Sequence, residues 1–319
     1  MFSQIQSATL NGLKALAVKV EVNANFVGDN ASGDTLFMMV GLPDNAVRES
    51  RQRVQSAVAN SNMRLPRMNV TANFAPADIR KEGSGLDLPL AVALLKCAKF
   101  IKAEDLSRSM FVGELGLDGS VRPLRGILPI AIEARRMGMD CLYVPQDNAR
   151  EASVVNRLKV YGISTLTQLV EHLNGQAPVE HTVSNTRAEF YAAQTAEQPD
   201  FSDVKGQELA KRAFEVAAAG GHNLIMVGSP GCGKSMMAKR LPGILPPLTL
   251  AESLETTQIY SIAGKMGSNS SLIAQRPFRS PHHTISDVAL IGGGTSLQPG
   301  EISLAHNGVL FLDELPEYS

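Results

Sequence analysis

Apolar and polar residues alternate along Leu13–Phe26, with Leu16, Val18, Val20 and Val22 sharing one side, which is the period of a half-buried strand. Over Asp44–Ser61 the spacing becomes helical, with Asp44 placed to cap the start. Arg67–Pro76 predicts a strand stopped by Pro76. Asp87–Phe100 predicts an apolar helix with Pro89 in its first turn. Ser109–Pro123 predicts a hairpin turning at Asp118-Gly119, followed by a helix over Ile127–Met139 and a strand over Asp140–Pro145. Residues 1–175 therefore predict an α+β domain. Residues 176–200 are polar, acidic and poor in aliphatics; they predict a linker with one short helix near Arg187–Gln194.

From residue 201 the pattern changes to helix (Gly206–Gly221), short apolar strand (Asn223–Gly228), glycine loop, helix, and a later apolar strand (Val309–Leu312). That order predicts the start of a parallel α/β sheet over residues 201–319.

The glycine loop carries candidate chemistry. Gly228-Ser229-Pro230-Gly231-Cys232-Gly233-Lys234-Ser235 fits G-x-x-x-x-G-K-S, placed between a strand and a helix as that motif requires. Its glycines let backbone N–H groups wrap an anion, Lys234 adds a positive charge, and Ser235 offers a hydroxyl to Mg²⁺. The strand ending at Asp313 and Glu314 supplies the complementary acids: Asp313 for the metal, Glu314 for activating the attacking water. ATP and Mg²⁺ are the expected ligands.

Composition narrows the rest. The chain has 30 Lys/Arg against 31 Asp/Glu, so no global basic field advertises a nucleic acid. Three scattered cysteines form neither a disulfide framework nor a CxxC site. The first residues lack a basic segment followed by an apolar run, and no transmembrane run occurs, so a cytoplasmic protein is expected.

Longer stretches carry a resemblance. Asp203–Leu248, Arg276–Gly294 and Pro299–Glu314 together resemble the Mg-chelatase-like branch of the AAA+ ATPases. "VGLPDNAVRESRQRV", "NFAPADIRKEGSGLDLPLAVALL" and "FVGELGLDGSVRPLRGILPIA" are similar to the N-terminal domain of the ComM/YifB family. The resemblance implies a hexameric ATPase that drives DNA branch migration in natural transformation. It also implies a β-hairpin insertion, placed at Pro299–Gly308, and an adenine-flanking role for Val204. Arg276, Arg279, His282 and His283 become candidate DNA contacts. The related chelatases imply an alternative, metal insertion into a tetrapyrrole. In the AAA+ order that the resemblance implies, another strand lies between those of the P-loop and Asp313. The sensor and arginine finger follow further on, so these 319 residues are expected to be a C-terminally truncated piece, inactive alone.

The first domain also resembles the Lon proteolytic domain, of the ribosomal-S5-like fold. There the serine position falls on Gly85, with Ser84 one place early, and the lysine position falls on Leu128. Covalent catalysis then has no nucleophile to start from. A zinc site at His282-His283 is disfavoured because neighbouring side chains of an extended segment face opposite ways.

Overall fold

The computed structural model describes residues 1–27, 36–78, 81, 83–195, 198–267, 271–294 and 297–318. Packing divides the described residues into two compact units, one within 1–184 and the other within 185–318, with Gly267 and Ser271 grouping with the first. The segment read as a linker contributes to both. Thr182 bridges to Val160 in the first unit, and Phe190 is buried in the second.

In the first unit, β1 (Phe2–Asn11), β2 (Lys14–Phe26), β3 (Phe37–Val40), β4 (Met68–Ala75) and β5 (Ser109–Phe111) join one seven-stranded sheet. The short β6 (Glu114–Leu115) and β7 (Val121–Arg122) form a separate hairpin. β8 (Cys141–Pro145) and β9 (Lys159–Ile163) complete the sheet, in the order β3-β4-β2-β1-β5-β8-β9. Four of its six pairings are parallel; β1–β2 and β2–β4 are antiparallel. The fold is therefore mixed α/β with a mostly parallel central sheet. The hairpin expected over Ser109–Pro123 is shorter than its sequence suggested, because Met110 pairs with Gln6 and Leu142 and so draws Ser109–Phe111 into the main sheet.

Helix α1 (Asn45–Asn60) starts where Asp44 accepts the Val47 N–H at 2.7 Å. In α2 (Asp87–Cys97) every residue except Lys96 is buried, as expected of a helix apolar all round. α2 lies on β1 and β2 and against α1. Its first residue, Asp87, is a fully buried carboxylate. Arg53 grips it at 2.7 and 3.0 Å, Ser50 donates to it, and the Leu115 N–H donates at 3.2 Å, tying the β6–β7 hairpin to both helices. Burial pushes the Asp87 carboxyl up from its ordinary value, and these donors oppose that rise. The unit is completed by α3 (Ile127–Arg136), α4 (Ala149–Ala152) and α5 (Leu166–Leu173).

The second unit opens with α6 (Thr186–Gln194), α7 (Glu208–Gly220), α8 (Lys234–Ala238), α9 (Leu241–Ile244) and α10 (Leu250–Ile262). β10 (Phe278–Arg279) follows, then α11 (Asp287–Ile291), β11 (Gly292–Gly293), β12 (Gln298–Pro299), α12 (Glu301–Leu304) and β13 (Val309–Leu310).

Two expectations change here. The segment Asn223–Gly228 joins no ladder among the described residues. Its side chains still alternate: Leu224 and Met226 pack on Val204, Phe214 and Met237, while Ile225 and Val227 are 79% and 93% exposed. One apolar face is satisfied, but no neighbouring strand takes up the backbone, and the parallel pairing in this unit is instead β10 with β13. The hairpin insertion also moves. β11 and β12 pair antiparallel over 292–299, with Thr295 and Ser296 outside the described residues, whereas Glu301–Leu304 is helical. The strands meet closely at Gly300, where a Cβ would stand 2.4 Å from the Gly292 nitrogen. Asn307-Gly308 turns out of α12 into β13, with Asn307 at φ 57° and the Gly308 N–H donating to Ala305.

Candidate functional site

The glycine loop leaves the extended segment at Gly228 and enters α8 at Lys234. Gly231 (φ 77°) and Gly233 (φ 93°) take left-handed backbone that side chains resist. Among the described residues nothing lies within 4 Å of where a Gly231 Cβ would stand. The Lys234 ammonium donates to the Gly228 and Ser229 carbonyls at 2.9 and 3.1 Å, bracing the loop from within. Cys232 is exposed, with its Sγ 3.9 Å from the Lys234 Nζ. Beside the loop, Leu209, Phe214, Leu224, Ile225, Met237 and Lys234 help to line a cleft of about 320 Å³. Val204 is buried in one cluster with Phe214 and Met237.

The acids arrive by a separate route. β13 runs parallel to β10, pairing Phe278 with Val309 and Arg279 with Leu310, and the Phe311 N–H adds a 2.8 Å bond to the Arg279 carbonyl. Asp313 then receives the Ser235 hydroxyl on Oδ2 at 2.8 Å, closing a gap of 78 residues in sequence. Two hard oxygen groups thus stand side by side, a donor set suited to Mg²⁺. Glu314 sits at φ 54°, an uncommon region for a non-glycine residue, with its carboxylate 66% exposed. His283 Nδ1 lies 3.1 Å from its Oε2. No signal in the sequence pointed to that contact.

The two histidine rings lie against each other, centroids 4.1 Å apart and planes tilted by 35°, so the expectation of opposite faces fails. The chain turns at His283-Thr284 instead of running extended, and His282 Nδ1 meets the Thr284 hydroxyl at 2.9 Å. No group of three metal-binding side chains occurs among the described residues.

Arg276 and Arg279 have partners inside the unit. Arg276 donates to the Pro246 carbonyl at 2.5 Å and to the Asn307 carbonyl at 2.7 Å. Arg279 forks onto Glu301 at 2.5 and 2.7 Å, and Lys265 adds a contact at 3.3 Å. The Arg279 hydrogen bonds hold the Glu301 carboxyl below its ordinary value. Their contribution to stability is present above an unfolded value near 4.5 and is lost as pH falls through the lower folded one. Arg279→Ala should accordingly cost about 1–3 kcal/mol at neutral pH, with the deficit shrinking in acid. Thermal melts of variant and wild type at both pH values check this, and equal melting at neutral pH would refute it.

In the first unit, the residues at the peptidase positions build no dyad. A Cβ on Gly85 would press on Leu124 at 3.2 Å, and Leu128 is fully buried. The Ser84 hydroxyl donates to Glu114, and among the described residues no amine or imidazole is bonded to it.

Residues 27–148 match the family described as subunit ChlI of Mg-chelatase, and residues 200–319 match that described as magnesium chelatase, subunit ChlI. The chain is 41% identical to the competence protein ComM of Haemophilus influenzae over 317 residues, 98% of this chain and 60% of that protein. It is 43% identical to the uncharacterised protein YifB of Escherichia coli over 307 residues, 96% of this chain and 58% of that protein. A stretch of 167 residues, 51% of this chain, is 25% identical to the DNA repair protein RadA of Listeria monocytogenes and covers 34% of it. The chain therefore spans about 60% of the length of the curated relatives it matches most fully. It belongs to the Mg-chelatase-like ComM/YifB family.

Proposed function

We propose that this chain carries the nucleotide site of an AAA+ ATPase, a cytoplasmic hexamer that uses ATP hydrolysis to drive DNA branch migration. The observation that carries the reading is the 2.8 Å bond from Ser235 to Asp313, which joins the two motifs that a P-loop ATPase must bring together. The open backbone at Gly231 leaves room for phosphate oxygens, and Lys234 provides the charge to hold them. Ser235 and Asp313 would hold Mg²⁺, which neutralises developing charge on the phosphates when bound. Glu314, next along the chain and largely exposed, is the base that orients and polarises water. Val204, with Phe214 and Met237, backs the side on which the adenine would lie.

DNA as the substrate rests on the relatives, one named for competence and a more distant one for DNA repair. Of the four side chains considered for DNA contact, His282 is the exposed one; the two arginines and His283 already have partners inside the unit. The chelatase alternative is not favoured, since ComM and YifB match nearly the whole of this chain. No helix among the described residues is long and apolar enough to cross a membrane. The test is phosphate release by the full-length protein with and without forked and four-way DNA. Stimulation by both is expected, and a rate indifferent to them would defeat the DNA reading.

A further inference from the structure

We infer that His283 is a positioning residue for hydrolysis, fixing the carboxylate of Glu314 through its Nδ1. The inference rests on the ATPase reading above and names a role that the P-loop and the acidic strand do not themselves supply. Among the described residues the Glu314 carboxylate meets one side chain, His283, whose Nδ1 lies 3.1 Å from Oε2, while the Glu314 N–H donates to Asp313 Oδ1 at 3.2 Å. A glutamate that is 66% exposed otherwise has three side-chain torsions to restrict. A base must lie within hydrogen-bond reach of the water it activates, so a freely rotating carboxylate spends much of its time misplaced.

His283 is suited to restrict it because it is itself held from several directions. Its ring is 27% exposed and packs, tilted by 35°, against that of His282 with centroids 4.1 Å apart. The segment preceding it is anchored by the β10–β13 ladder, where Phe278 also stacks near Phe311 with centroids 6.1 Å apart. On the far side of Glu314, the Tyr318 hydroxyl donates to the Pro281 carbonyl at 2.7 Å. The loop bearing His283 is thereby tied to the acidic segment both before and after Glu314. The left-handed backbone at Glu314, φ 54° and ψ 46°, turns the chain at this point, directly after Asp313 is committed to Ser235. Adjacent carboxylates thus have separate partners: a hydroxyl of the phosphate loop for one and an imidazole for the other.

The experiment measures steady-state hydrolysis and ATP affinity of the full-length protein for His283→Ala, His283→Asn and His283→Gln, beside wild type and Lys234→Ala. An asparagine amide nitrogen occupies nearly the position of Nδ1, whereas the glutamine amide is displaced by one carbon. His283→Ala should lower kcat by roughly 10-fold or more, as loss of a supporting partner does, with ATP affinity unchanged. His283→Asn should recover most of that loss and His283→Gln much less. As a readout independent of turnover, the imidazole nitrogen resonances of His283 in this chain should move on Glu314→Gln more than those of the other five histidines. Wild-type kcat in His283→Ala, or equal impairment of the Ala and Asn variants, would overturn the inference while leaving the ATPase reading intact. A wild-type protein without hydrolysis, or hydrolysis indifferent to Lys234→Ala, would sink that reading and this inference with it.

Discussion

Glu314→Gln is expected to leave ATP bound while lowering turnover of the full-length protein by roughly 10²–10⁴-fold. The substitution keeps the length and shape of the side chain, so a side-chain oxygen can still lie where Oε2 meets His283 Nδ1 at 3.1 Å. What disappears is the negative charge that draws a proton from water as the phosphorus–oxygen bond forms. The neighbouring carboxylate does not take its place, because Asp313 is bonded to Ser235. Retention on a filter of labelled ATP with Mg²⁺, paired with a single-turnover assay, separates binding from chemistry. A variant that hydrolyses at near wild-type rate would move the base role to another residue. One that fails to bind ATP would show instead that Glu314 supports the nucleotide.

The contrast between Glu314 and His283 shows what could be read from the sequence. The backbone of the glycine loop was legible because it is local: left-handed φ at Gly231 and Gly233 follows from residue type, and the roles proposed for Gly228–Ser235 rest on spacing along one short loop. Asp313 and Glu314 were legible because four apolar residues deliver two acids after such a loop. Helices α1, α2, α3 and α7 were legible from period and caps, Asp44 most clearly. The contact between His283 and Glu314 was not, because it depends on a two-residue ladder between β10 and β13 and a turn at residue 283, neither of which leaves a periodic trace. Arg53 fell out of view for a related reason. Nothing along the chain singles it out until Asp87, 34 residues away, is folded against it. The segment Asn223–Gly228 shows the limit from the other side: alternation fixes which residues face inward, but a strand also needs a partner for its backbone.

Lys234→Ala should weaken ATP binding by about 10- to 100-fold, from roughly 1.5–3 kcal/mol for a hydrogen bond to a charged group at about 1.4 kcal/mol per tenfold. Two losses combine. The ammonium supplies the positive charge of the loop, and phosphate oxygens without it face only backbone N–H groups and the short helix that follows. The same ammonium donates to the Gly228 and Ser229 carbonyls at 2.9 and 3.1 Å, so its removal also frees the loop to sample conformations that do not bind an anion. Lys234→Arg separates these contributions. It keeps the charge but replaces a compact ammonium with a planar fork that cannot reproduce both carbonyl contacts, so its affinity should fall between those of the other two proteins. Calorimetric titration of ATP with Mg²⁺ into each protein, after melting curves establish that each is folded, gives the order wild type, Arg, Ala. The Lys234 side chain is only partly buried and its partners are two loop carbonyls, so melting should change little. Equal ATP affinity in wild type and Lys234→Ala would remove this loop from the nucleotide site, and with it the role assigned to Ser235 and Asp313.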